Sequence, residues 1–122
     1  MQGIKSYRDL LVWQKAMDMT VQVYAICKML PKEETYGLRS QMTRAAASVA
    51  ANIAEGHARG STKEYTHFLA IAKGSLMETE TFLDLALRLG YIEEHQAQPV
   101  QEKITEVSKM LTVLRNKLLQ TL

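Results

Sequence analysis

The chain of 122 residues has one cysteine and two prolines. A lone thiol, Cys27, excludes an intramolecular disulfide, so nothing in it points to an oxidising compartment. Prolines only at 31 and 99 leave long stretches free for uninterrupted helix. No run of about 18 apolar residues is present, which excludes a hydrophobic helix that crosses a bilayer. The amino terminus, MQGIKSYRDL, lacks the apolar core of a secretory leader. A soluble, cytoplasmic protein is expected, with no membrane partner.

The chemistry of a catalytic centre is also missing. His57, His67 and His95 never meet another His or Cys at i+3 or i+4, so no metal is expected. Glu64-x-x-His67 is one copy of a motif that di-iron bundles use alongside inward carboxylates on partner helices, and it reads as solvated. No phosphate-binding glycine loop occurs, and neither Ser48 nor Ser75 sits in a nucleophile elbow. Gly56-x-x-x-Gly60 lies among charged residues and reads as a turn. Glu78 and Glu80, two residues apart, point about 200° apart on a helix and cannot share one site. The expectation is a protein that is not an enzyme and needs no cofactor.

What is present is helical periodicity. Hydrophobic residues make up 47% of the chain, with seven methionines and only two phenylalanines, which suits one domain (1–122) with an aliphatic core. Val12, Ala16, Met19, Val23, Ile26 and Leu30 recur at spacings of three and four and predict a helix over about 9–30. Trp13, Met17, Tyr24 and Cys27 widen its buried face, Asp9 is its expected N-cap, and Pro31 stops it. A second helix is predicted over about 34–57, with an apolar edge of Leu38, Met42, Ala45, Val49 and Ile53, Glu33 and Glu34 at its positive end, an irregular start at Gly37, and Gly56 or Gly60 as a left-handed terminator.

A third, over about 62–89, opens on Ser61-Thr62-Lys63-Glu64, which reads as a capping box, and ends at Gly90. Its stripe is Tyr65, Leu69, Ala72, Leu76, Thr79, Leu83 and Ala86. A fourth, over about 95–120, carries Val100, Ile104, Val107, Leu111, Leu114 and Leu118; Pro99 fits its first turn, or kinks it if the helix begins earlier. Short connections make neighbours antiparallel, so the fold class is all-α, an up-down-up-down antiparallel four-helix bundle.

Two sets of residues stand out as candidate sites. The first is a polar edge on the second helix: Gln41, Arg44, Ser48, Asn52 and Glu55 follow one another at spacings of 3, 4, 4 and 3. Ala45, Ala47, Ala51 and Ala54 flank it, and small residues allow a helix to approach closely. Asn in a partly buried seam fixes register, and a buried Arg needs a carboxylate, for which Glu78 is the candidate. Together with Ser75 and Glu78 these residues are read as a structural or subunit-interface network, the alternative being an ordinary solvated face.

The second set comes from charge. The net charge is only +2, but it is segregated: residues 1–32 carry +3, 33–34 carry −2, 35–77 carry +3, 78–106 carry −5 and 107–122 carry +3. Lys5, Arg8, Lys15, Arg39, Arg59 and Lys63 are candidate nucleic-acid-binding residues. In an antiparallel bundle they are expected to gather at one end, with Tyr7 and His57 available for stacking. A solvated bundle end is the competing reading.

One pattern runs through nearly the whole chain: Leu11-x-Trp13-x-x-Ala16, Leu30-Pro31, Tyr36-Gly37-Leu38-x-x-Gln41-Met42-x-Arg44-Ala45-Ala46-x-Ser48, Asn52-Ile53-Ala54-Glu55-Gly56, and Phe68-Leu69-x-Ile71-Ala72-x-Gly74-Ser75-x-x-Glu78. It resembles the small four-helix-bundle family encoded by intervening sequences in bacterial large-subunit ribosomal RNA genes. The resemblance implies an up-down bundle that assembles as a homopentamer. It also implies similarity to the accessory variability protein of diversity-generating retroelements, a basic pentameric barrel that binds nucleic acid and a reverse transcriptase. The partners so implied are copies of this chain, RNA or DNA, and, on the alternative reading as an interaction scaffold, a protein such as a reverse transcriptase.

Overall fold

A computed structural model describes residues 3–122. Four α-helices carry the fold: α1 (Leu11–Cys27), α2 (Leu38–Ala58), α3 (Thr62–Arg88) and α4 (Glu94–Leu119). Short 3-10 turns precede α1 (Tyr7–Asp9) and α2 (Lys32–Glu34). Among the described residues there is no strand, and no helix is long and apolar enough to cross a membrane. α1 packs on α2 and α4, and α3 packs on α2 and α4, while among the described residues the backbones of the diagonal pairs stay apart. That arrangement is the antiparallel up-down-up-down bundle. We call the end holding the starts of α1 and α3 the lower end.

The core follows the periodicity closely. Every stripe residue predicted on α1, from Val12 to Leu30, is buried, and so are Leu38, Met42, Ala45, Val49 and Ile53 on α2. On α3 the stripe from Leu69 to Ala86 is inaccessible to solvent, and on α4 Val100, Ile104, Val107 and Leu111 are buried, with Leu114 and Leu118 half-buried against them. Burying a side chain of this kind contributes about 1.5–3 kcal/mol, so these four stripes dominate the stability of the fold. Cys27 lies among them, its Sγ 3.7 Å from Met42 Sδ. Burial raises its thiol pKa to about 11, which keeps it protonated and inert.

Met17 and Tyr24 do not join that core. They are 40% and 51% exposed and share an outward face of α1 with Val21, 66% exposed. The reason is geometric: α2 and α4 cover only part of the circumference of α1, and these positions fall outside it.

Helix ends differ from expectation in chemically explicable ways. Asp9 does not cap α1. Its carboxylate accepts from the backbone N–H of Lys5 and Ser6, closing a capping box with Ser6 around the turn that precedes the helix. α2 starts at Gly37, which has no side chain to cap with, and Glu34 supplies the acceptor instead: its Oε1 takes the Leu38 N–H at 3.0 Å. Tyr91 donates its hydroxyl to the other oxygen of Glu34 at 2.9 Å, tying the start of α2 to the α3–α4 turn. The Leu38 and Tyr91 hydrogen bonds hold the Glu34 carboxyl below its usual pKa, and the same bond raises that of Tyr91.

At α3 only half of the predicted box forms: Ser61 Oγ accepts from the Glu64 N–H at 3.1 Å, while the Glu64 carboxylate takes the Ser61 hydroxyl and leans towards Arg59. Neither Gly56 nor Gly60 is left-handed; Gly90 is, at φ +77°, as a helix terminator should be. Pro99 sits beyond the first turn, because α4 begins at Glu94 with a Glu93–Gln96 capping box.

Candidate functional site

α2 and α3 make the most intimate pairing in the bundle, and Gly56 shows why. A Cβ added there would lie 2.7 Å from the Cβ of Phe68, so only glycine permits that approach. Gly56 is therefore a packing position inside a helix rather than the turn residue its surroundings suggested. A short polar chain runs along the same seam. Ser48 Oγ and Ser75 Oγ are 2.9 Å apart across the two helices, Asn52 Nδ2 donates to Ser48 O and Ser48 Oγ at 2.8 and 2.9 Å, and Thr79 Oγ1 donates to Ser75 O. Each half-buried polar group thus has a partner, as close packing demands.

The predicted polar edge is consequently not one network but three pieces. Ser48 and Ser75 join α2 to α3 within the chain, with Asn52 bracing Ser48 from its own helix. Gln41, Arg44 and Glu78 are exposed and line an open cleft with Phe82, and Arg44 makes no ion pair with Glu78. Glu55 is exposed and turns down to Arg59, whose guanidinium donates to it at 2.6 Å. The 3.6-residue repeat that puts these side chains on one edge says nothing about how far α3 covers that edge along its length.

The candidate cations also divide. Lys5 and Arg8 are exposed at the lower end, and the Arg8 guanidinium sits 4.7 Å from the centre of the Tyr7 ring, which itself leans on Trp13. Arg59 is at the same end, over Phe68 and between Glu55 and Glu64, with exposed Lys63 on the next turn. His57 meets Tyr65 edge-on at 5.8 Å. Lys15 is half-buried higher up α1 and pairs with Glu106 at 3.6 Å. Arg39 does not join them. It lies at the upper end, where it donates to Leu30 O at 2.9 Å and braces the α1–α2 connection.

Sequence reasoning missed the cations of α4. The basic 107–122 segment was visible as a charge count, but only the folded chain shows where it falls. Antiparallel packing places it at the level of the starts of α1 and α3, as the Arg115–Thr66 and Lys73–Thr112 hydrogen bonds attest. The lower half, residues 3–19, 48–75 and 107–122, then carries nine Lys or Arg against four Asp or Glu, a net +5. The upper half, residues 20–47 and 76–106, carries six against nine, a net −3. Lys109 and Lys117 flank an apolar groove between α1 and α4 lined by Leu10, Leu11, Met110, Val113 and Leu114. Among the described residues no cluster of three metal-ligating side chains occurs.

The comparisons with known proteins agree with this architecture. The family model described as 23S rRNA-intervening sequence protein matches residues 8–113. The chain is also similar to a crystal structure of a protein of unknown function from the S23 ribosomal protein family of Bacteroides thetaiotaomicron. The TM-score is 0.80 and the identity 27%, over 86% of this chain and 98% of that one. No curated protein matches.

Proposed function

The chain belongs to the 23S rRNA-intervening sequence protein family, and from that premise we propose that it is a non-catalytic, oligomeric helical bundle of the cytoplasm that binds RNA or DNA through its basic half. The observation that carries the reading is the lengthwise division of charge, +5 below and −3 above. A net charge of +2 spread evenly would attract polyanions weakly; the same charge polarised along the bundle presents a cationic lower surface and aims the acidic end away. Tyr7 beside Arg8, and His57 beside Tyr65, add ring faces on which unpaired bases can stack. Repetition of the basic end around a homo-oligomer, a pentamer by the family resemblance, multiplies weak phosphate contacts through effective concentration.

A filter-binding titration with structured RNA and duplex DNA at two salt concentrations tests the reading. Affinity that falls steeply with salt is expected; absence of binding at low salt, or binding indifferent to salt, removes it. Light scattering tests the oligomer, and a mass near the 13.8 kDa of one chain removes that part.

A second reading has its own support. Met17, Val21 and Tyr24 leave an apolar stripe uncovered on α1, which suits a protein-interaction scaffold, an accessory to a reverse transcriptase or another protein. A pull-down that survives nuclease treatment favours it.

A further inference from the structure

In the lower half, residues of α3 and α4 line a cleft of about 230 Å³. Leu69 and Leu111 floor it, and Lys73, Thr112, Arg115 and Asn116 rim it. Lys73 Nζ donates to Thr112 Oγ1 at 2.9 Å, with Ser108 O farther off at 3.4 Å. Arg115 uses its Nε–H on Thr66 O at 3.1 Å. An ammonium has three N–H groups and a guanidinium five, so both side chains are held in place with donors to spare, including both terminal amino groups of Arg115. Among the described residues no carboxylate lies within 4.0 Å of either nitrogen group, although Lys15, Arg59 and Lys103 all have such partners.

Two half-buried cations facing one cleft over an apolar floor repel each other more than they would in water, and a bound anion relieves that repulsion. A planar fork beside a point charge suits a tetrahedral phosphate oxyanion. The other clefts lack this combination: Arg44 shares its cleft with Glu78, and Lys109 and Lys117 beside the α1–α4 groove are exposed rather than half-buried.

We propose that Lys73 and Arg115 form a phosphate-oxyanion site in the α3–α4 cleft, occupied by a phosphodiester of bound nucleic acid or by a free phosphate. The first source rests on the nucleic-acid reading above; the second does not. The anion would lie across the cleft mouth, taking the Arg115 terminal N–H groups on one side and the Lys73 ammonium on the other, with the Asn116 amide at the rim.

The test is an NMR titration of the wild-type chain, at matched ionic strength, with inorganic pyrophosphate and separately with a short single-stranded oligoribonucleotide. Saturable shifts at the amides of Lys73, Thr112, Arg115 and Asn116 and at the Arg115 Nε–H are expected with both. Shifts there with pyrophosphate, and none anywhere with the oligonucleotide, uphold the site with free phosphate as its source and count against the nucleic-acid reading. Oligonucleotide binding that shifts only other residues, with pyrophosphate silent at the cleft, overturns the site and leaves that reading standing. Silence with both ligands overturns both.

Variants sharpen the result. Lys73→Met and Arg115→Gln should each lower the slope of log affinity against log salt for the oligonucleotide by about 0.7, the value for one lost single-strand phosphate contact. Arg115→Lys, which keeps the charge, should retain most of the slope, and it controls for loss of the Thr66 tether. Unchanged slopes in both neutralised variants remove the phosphodiester as the site's occupant, and an unchanged pyrophosphate titration in both removes the site.

Discussion

The two ends of the bundle use charge in opposite ways. At the upper end, ionic groups hold loops: Glu34 caps α2 and receives Tyr91, and Arg39 grips Leu30 O. Removing one should loosen the fold. At the lower end, Lys5, Arg8, Lys63 and Lys117 are exposed and make no ion pair. Removing one should leave the fold intact and change what the surface attracts. The upper end has exposed cations too, Lys28, Lys32 and Arg88, but they stand in a half of net −3, whereas those of the lower end stand in a half of net +5, and a net surplus of positive charge is where a polyanion finds its counterions.

The largest expected effect breaks that comparison directly. Neutralising Lys5, Arg8, Lys63 and Lys117 to Gln should flatten the salt dependence of nucleic-acid binding by nearly 3 in the log–log slope, at about 0.7 per contact. The same change at the upper-end Lys28, Lys32, Arg88 and Lys103 should leave it almost unaltered. Equal losses from the two sets in filter binding would dissolve the distinction between the ends.

Next in size is the glycine pair. Gly56→Ala forces a contact with Phe68 and should destabilise the chain by roughly 1–3 kcal/mol in urea unfolding. Gly74→Ala, a helical position with open space around it, should instead stabilise by about 0.5–1 kcal/mol. Opposite signs from one substitution type would show that close approach, and not helix propensity, governs the lower α2–α3 seam.

A subtler contrast sets Glu34 against Glu55. The folded pKa of Glu34 is lowered, so its stabilising contribution is present above the ordinary carboxylate range, near 4.3, and is lost as pH falls through the lower folded value. Glu34→Gln should lower Tm at neutral pH and remove that part of the acid sensitivity, as thermal melts at pH 7 and pH 3 would show. Glu55→Gln breaks only an exposed ion pair with Arg59, worth a few tenths of a kcal/mol at most. It should leave the melts nearly unchanged while tightening nucleic-acid binding a little, because it removes one negative charge from the lower end, Arg59 keeping its pairing with Glu64. A stability loss from Glu55→Gln matching that from Glu34→Gln would erase the contrast.

Much of the molecule was legible before folding. The four stripes were read correctly because burial on a helix repeats every 3.6 residues and that repeat is local. Where the reading failed, the missing information lay in another helix. Met17 and Tyr24 looked buried by spacing, but α2 and α4 do not reach them. The polar edge looked continuous, but among the described residues it hydrogen-bonds to α3 only through Ser48, which Asn52 braces from its own helix. Arg39 was grouped with cations from which nearly a helix length separates it, while Lys73 and Arg115, 42 positions apart in the chain, share one cleft.

By itself the sequence determined four amphipathic helices, their order and their antiparallel sense, since hydrophobic period and connection length are properties of neighbouring residues. Only the tertiary structure decided which charges stand together. Side-by-side packing sets level against level, so segments far apart in the chain sum their fields at one end. No count along the chain contains that alignment.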